Sequence, residues 1–237
     1  MAKNVIIAVI LIIAILVGGS GCMFNKQNPG QSNPDTSELA LAYLENKYGE
    51  PFTHVGPWGN SMTGTREFLV SCNSLPGENI VVQVENFRDA ENMIYRDNYL
   101  AVKYKEDTMA FFRDCAAKYF ENCRVVYEVS SQCQSADLPA SADLSAYLAD
   151  GNAKMVMMVE ISAGSITGKE QIADMIAELE TVCGNTVLTV VVVSDDVYGT
   201  LTRKELSDLI SLEKYECCAI AYLKGSADCR IDWLGEK

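Results

Sequence analysis

A single histidine, His54, serves a chain of 237 residues. That scarcity excludes every site built on two imidazoles, zinc centres of the HExxH kind among them. A Ser-His-Asp or Cys-His system has only His54 to draw on, and it sits in a Pro- and Gly-rich stretch, PFTHVGPWGN, that reads as an exposed loop. The chain has no GxSxG nucleophile elbow either. Basic residues are also few: 19 Lys plus Arg stand against 32 Asp plus Glu, for a net charge of −13. An acidic surface repels phosphates and anionic headgroups, so nucleic acid is not an expected partner. The loop GSITG at 164–168 lacks the spacing of a nucleotide-cradling turn, and no cofactor is expected.

Long apolar runs are confined to one place. From Val5 to Val17 every residue is apolar, with Lys3 before the run and Gly18, Gly19, Ser20, Gly21 and Cys22 after it. At about 1.5 Å per residue this run spans roughly 20 Å, short of a hydrocarbon core of about 30 Å. It suits the h-region of an export signal better than a full membrane span. The small residues before Cys22 resemble the cleavage box of bacterial lipoprotein precursors. The resemblance covers residues 1–22 and departs from the family at Gly19, where an aliphatic residue is usual. It implies that Cys22 becomes the lipidated first residue of the mature chain, carrying an acyl group such as palmitate. An uncleaved N-terminal anchor, Val5 to Phe24, and ordinary secretion are the alternatives. All three place the rest of the chain outside the cytoplasm, at the cell surface or envelope.

Behind this segment runs NKQNPGQSNPDTS, from Asn25 to Ser37, polar throughout and rich in Pro and Gly. Such a stretch has nothing to bury and reads as a tether of roughly 20 Å. The expected organisation is therefore a signal or anchor at 1–21, a lipidated Cys and tether at 22–37, a first α+β unit at 38–130, a linker at 131–142 and a second α/β unit at 143–237. The fold class is α/β or α+β, a mixed sheet with helices, with the possibility of two similar small units.

Periodicity supplies the elements. Leu39, Ala40, Tyr43, Leu44, Lys47 and Tyr48 repeat at helical spacing, with Thr36 or Ser37 as cap and Gly49 then Pro51 as stop. Glu67–Cys72 and Ile80–Val84 flank the turn-prone NSLPGEN and read as a hairpin. The stretch 87–104 shows no clear period. A helix follows at 108–120 and a strand at 124–129. Beyond the linker, helices are expected at 143–149, 169–183 and 203–212, and strands at 155–161, 186–193, 217–223 and 230–233. Thr167-Gly-Lys-Glu170 and Thr202-Arg-Lys-Glu205 have the spacing of capping boxes. Val187 to Val193 is apolar on both faces, as in a central strand covered by helices.

Eight cysteines accompany Cys22. In an exported chain an even count points to disulfide bonds, with buried free thiols as the alternative where Cys falls in an apolar pattern. No CxxC spacing supports redox or zinc chemistry. Cys217 and Cys218 are adjacent in a strand and so face opposite ways.

Two constellations bear on function. Asp195 and Asp196 follow an apolar strand, and Glu160 closes its neighbour; in open α/β sheets ligands gather at such carboxyl ends, so the three are candidates for a polar-ligand or divalent-metal site. Trp58, Tyr95 and Tyr99 are candidates for an aromatic surface that binds a glycan or peptide, although aromatics at these spacings more often fill a core. The leading reading is a membrane-anchored exported lipoprotein that is a non-enzymatic binding or envelope-assembly module. Its expected partners are the membrane, through the N-terminal lipid or helix, and an envelope protein or glycan. The alternative is an envelope hydrolase using Glu160, Asp195 and Asp196 around a divalent cation.

Overall fold

The computed structural model describes residues 35–60, with only the backbone at 57–60, and 65–89, 92–129, 138–152, 154–224 and 229–234. The apolar run, Cys22, most of the tether, Cys133 and most of the linker lie outside these residues. No helix among the described residues is long and apolar enough to cross a membrane.

The described residues form an α+β fold with two sheets. Helix α1 (Thr36–Tyr48) precedes strands β1 (Phe52–Asn60), β2 (Arg66–Cys72), β3 (Ile80–Glu85) and β4 (Ile94–Asp97), which form an antiparallel sheet in that order. Two helices follow, α2 (Tyr99–Lys103) and α3 (Lys105–Ala116). The second sheet has the order β5 (Cys123–Tyr127), β6 (Met155–Ser162), β7 (Thr186–Val193), β8 (Cys217–Leu223) and β9 (Arg230–Leu234). It is mixed: β6 and β7 are parallel and every other neighbour pair is antiparallel. Helices α4 (Leu144–Ala149), α5 (Lys169–Glu180) and α6 (Arg203–Ser211) complete the fold.

Helix α1 starts at Asp35, whose carboxylate accepts from the Ser37 amide at 3.1 Å, one residue before the expected Thr36 or Ser37. It stops where expected, at Gly49, whose φ of 72° lies in the left-handed region that favours glycine and whose N–H closes onto Glu45. Ala40 and Leu44 bury its inner side against the first sheet. The stretch PFTHVGPWGN is strand rather than loop. It forms the sheet's edge, with register shifts between His54 and Gly56 and between Pro57 and Gly59. An edge strand tolerates Pro and Gly at such irregularities because one side of its backbone has no ladder to satisfy. The hairpin of β2 and β3 is as expected.

In the second sheet β7 is central and its last four residues are buried, in line with its two-sided apolarity. Alternate residues divide between its faces. Met157, Val159, Ile161, Val190 and Val192 join the main core with Phe112, Tyr147, Ile172 and Ile176, and this core continues to Leu44, Val70, Ile80 and Val82 of the first sheet and its helix. Met158, Val191 and Val193 face the other way and pack with Leu206 of α6, Tyr198 and Leu201. Cys217 pairs with Val192 and Cys218 with Val191, so the two do point to opposite faces. Strand β5, read from sequence as the end of the first group of elements, is the edge of the second sheet.

The expected capping box of α6 is present: the Thr202 hydroxyl accepts from the Glu205 amide, while Glu205 accepts from Thr202. That of α5 is not. The helix begins at Lys169 as expected, but its cap is Gly168 rather than Thr167, and Thr167 donates to Gln171 through its amide and hydroxyl at 2.6 and 2.8 Å.

Candidate functional site

The three carboxylates expected at the strand ends lead separate lives. Glu160 lies inside β6 rather than closing it, with no exposed surface. Its Oε2 accepts from Arg124 Nε at 2.6 Å and Nη2 at 2.5 Å, and its Oε1 from the Gly199 amide at 3.1 Å. Arg124 reaches on to the Leu201 carbonyl at 2.5 Å. The pair therefore pins the segment before α6 onto the sheet, and Gly199, at φ 76°, supplies the left-handed turn that aims its amide at the carboxylate. Asp195 is exposed and accepts from the Ser162 hydroxyl and from the Gly164 amide at 2.9 Å. These two hydrogen bonds, the hydroxyl's first, hold its carboxyl below the usual range. Asp196 is exposed. Among the described residues no group of three His, Cys, Asp or Glu side chains is placed to hold a metal.

Of the candidate aromatics, Tyr99 and Tyr95 differ in burial. Tyr99 is buried, stacks on Tyr48 at 4.0 Å between ring centroids, and donates its hydroxyl to Glu50 at 2.9 Å. It is a core residue. Tyr95 is half-buried and stacks on Tyr43 at 5.0 Å, beside a shallow hollow of about 500 Å³ shared with Leu39, Asn46 and Lys47. Trp58 belongs to β1, and its side chain lies outside the described residues. His54, exposed on the edge strand, meets Phe68 edge-on at 5.8 Å.

Sequence reasoning missed the carboxylate that organises this region. Asp97 is 2 % exposed and accepts from Tyr43 at 2.9 Å, Lys47 at 2.8 Å, Tyr48 at 2.6 Å and the Tyr99 amide at 3.0 Å. Three of its donors come from α1, so Asp97 locks that helix to the end of β4. Burial, followed by the Asp97 charge, drives the Tyr48 phenol far above its ordinary value.

Sequence reasoning also missed a cleft of about 600 Å³, which falls in the size range of small-ligand sites. Its walls come from both sheets: Leu69 and Val81, cross-strand partners on the face turned away from α1, then Val102 of α2 and Tyr127 at the end of β5. Two ion pairs sit at its rim, Lys105 with Glu78 at 3.8 Å and Arg203 with Glu128 at 2.6 Å. Buried Asn98 contributes to the wall while its Oδ1 accepts from the Val81 amide at 2.7 Å. The one available signal was Val81, an apolar residue out of step with the inward positions Ile80, Val82 and Val84.

No protein-family model matches the chain, and no curated protein does. Among solved structures it is similar to a DUF5037 family protein from Ruminococcus gnavus ATCC 29149, with a TM-score of 0.42 and 14% identity over 84% of this chain and 94% of that one.

Proposed function

We propose that the chain is an exported lipoprotein, held at the outer face of a membrane through an acyl group on Cys22, whose folded part is a binding module for a component of the cell envelope. The observation that carries this reading is the N-terminal order of Lys3, the Val5–Val17 apolar run, four small residues and Cys22, followed at once by a polar tether. A tether of that composition keeps the folded part a short distance from the bilayer, and a net charge of −13 discourages it from lying on anionic lipid. The cleft supports the binding half of the reading. It sets Leu69, Val81, Val102 and Tyr127 beside Asn79, Asn98 and four charged side chains, a mixed lining in a volume typical of small-ligand sites. The hydrolase reading loses its support, because Glu160 is committed to Arg124 and Asp195 to Ser162 and Gly164.

Metabolic labelling with a palmitate analogue tests the anchor. The wild-type chain is expected to take up label and fractionate with membranes, and Cys22→Ser is expected to lose the label. An unlabelled wild-type chain in the membrane fraction would instead establish the uncleaved anchor.

A further inference from the structure

The first sheet has one face occupied and one that needs explaining. Phe68, Val70, Ile80 and Val82 turn toward α1 and the core. Leu69 and Val81, paired across β2 and β3, turn the other way, where an antiparallel sheet ordinarily shows polar residues to water. Here they wall the cleft, and Val81 is only 6 % exposed. Val102 and Tyr127, at 7 % and 5 %, share the lining with them. Asn79 and buried Asn98 join the lining, so the cavity pairs apolar walls with polar side chains.

At its mouth the balance of charge differs from that of the whole molecule. A chain with a net charge of −13 places two cations and two anions at this rim, Lys105 and Arg203 with Glu78 and Glu128. The four side chains are 28 to 72 % exposed, so each remains within reach of a ligand. The Lys105 to Glu78 separation of 3.8 Å is long for an ion pair, and exposed pairs of this kind are weak, so exchanging partners costs little. A fatty acid or other simple anion would satisfy the cations and crowd the glutamates. A neutral sugar would leave all four charges in their present pairs. A ligand with one ammonium, one carboxylate and apolar groups between them meets both signs at the rim and the walls within.

We propose that this cleft binds a short apolar peptide in its zwitterionic form, with the carboxylate toward Lys105 and Arg203 and the ammonium toward Glu78 and Glu128. A cavity of about 600 Å³ holds a peptide of about two or three residues. The assignment rests on the binding-module reading and names its ligand.

Calorimetric titration of the full chain in detergent micelles, with empty micelles as the blank, tests it with trileucine as the probe. Saturable binding is expected, weakened at least tenfold when the amino end is acetylated and at least tenfold when the carboxyl end is amidated. Lys105→Gln and Arg203→Gln are expected to weaken trileucine several-fold and to leave the amidated form unaffected, a pattern that misfolding would not produce. Far-ultraviolet circular dichroism of each variant verifies the fold. Equal affinity for free and capped peptides overturns the proposal, as does no heat above the blank at millimolar trileucine. A chain that takes up the acyl label but binds no peptide overturns the ligand assignment alone, whereas an unlabelled chain that binds peptide removes only the anchor.

Discussion

Each sheet carries one buried carboxylate, and the two are satisfied in opposite ways. Asp97, at the end of β4, collects four donors, of which two are neutral phenols and one is a backbone amide. Glu160, inside β6, depends on one guanidinium that spends two of its N–H groups on the same oxygen, with a single amide on the other. Donors spread over several groups make an arrangement that survives the loss of any one. A charge met by a single partner does not. The first carboxylate fastens a helix to a sheet, and the second fastens the segment that leads into α6.

The largest expected effect is therefore at Arg124. Arg124→Met leaves Glu160 fully buried with only the Gly199 amide, and breaking a buried pair from one side costs about 3–5 kcal/mol. Urea unfolding should show that loss. The double variant with Glu160→Leu is expected to recover most of it, since an apolar pair of similar volume needs no compensation. A loss under about 1 kcal/mol in Arg124→Met would mean that water, rather than the protein, solvates this carboxylate.

Asp97→Asn comes next. The amide keeps one oxygen as acceptor but turns an NH2 toward donors that have been pointing at a carboxylate, so one or two charge-assisted bonds of about 1.5–3 kcal/mol each are lost or weakened. A net cost of about 2 kcal/mol is expected by the same unfolding measurement, smaller than at Arg124 because the asparagine oxygen still accepts from part of the donor set and no buried carboxylate is left unpaired. If Asp97→Asn proved the costlier of the two, the contrast between shared and single partners would fail.

The contrast was partly legible in the residues. Helix α1 with its Gly49 stop, the β2–β3 hairpin, the central β7 and the α6 capping box all follow from local signals: periodicity, a left-handed glycine, a two-sided apolar run and a Thr-to-Glu spacing. Strand β1 was hidden because Pro and Gly argue locally for a loop, and only its place at a sheet edge makes them tolerable. Two of the candidate residues were misplaced for a related reason. Glu160 was read as a strand-end ligand, yet its partner Arg124 lies 36 residues away on a strand whose pairing no local pattern reveals. Tyr99 was read as possible surface, and burial against Tyr48 and Phe52 places it in the core. The cleft joins β2, β3, α2, β5 and α6, so its walls exist only once both sheets are assembled.

The smallest effect separates the two regions by pH rather than by substitution cost. In the second, burial pushes the Cys183 thiol up to about 12 from an ordinary 9.0, and Cys218 likewise. A group whose folded pKa is raised gives its full stabilisation below the unfolded value and loses it as pH rises toward the folded one. Below about pH 9 both states keep the proton. Between about 9 and 12 only the unfolded chain gives it up, so by pH 10 each such thiol has cost about 1.4 kcal/mol of stability. In the first region the corresponding group is the Tyr48 phenol, whose ordinary value of 10.0 sets a later onset. Unfolding followed against pH under reducing conditions should thus show Cys183→Ala flattening the decline from pH 9, and Tyr48→Phe flattening it only above pH 10. An alkaline slope unchanged in Cys183→Ala would mean that this thiol opens to solvent more readily than its full burial just past the end of α5 implies, and the second region would then be the looser of the two.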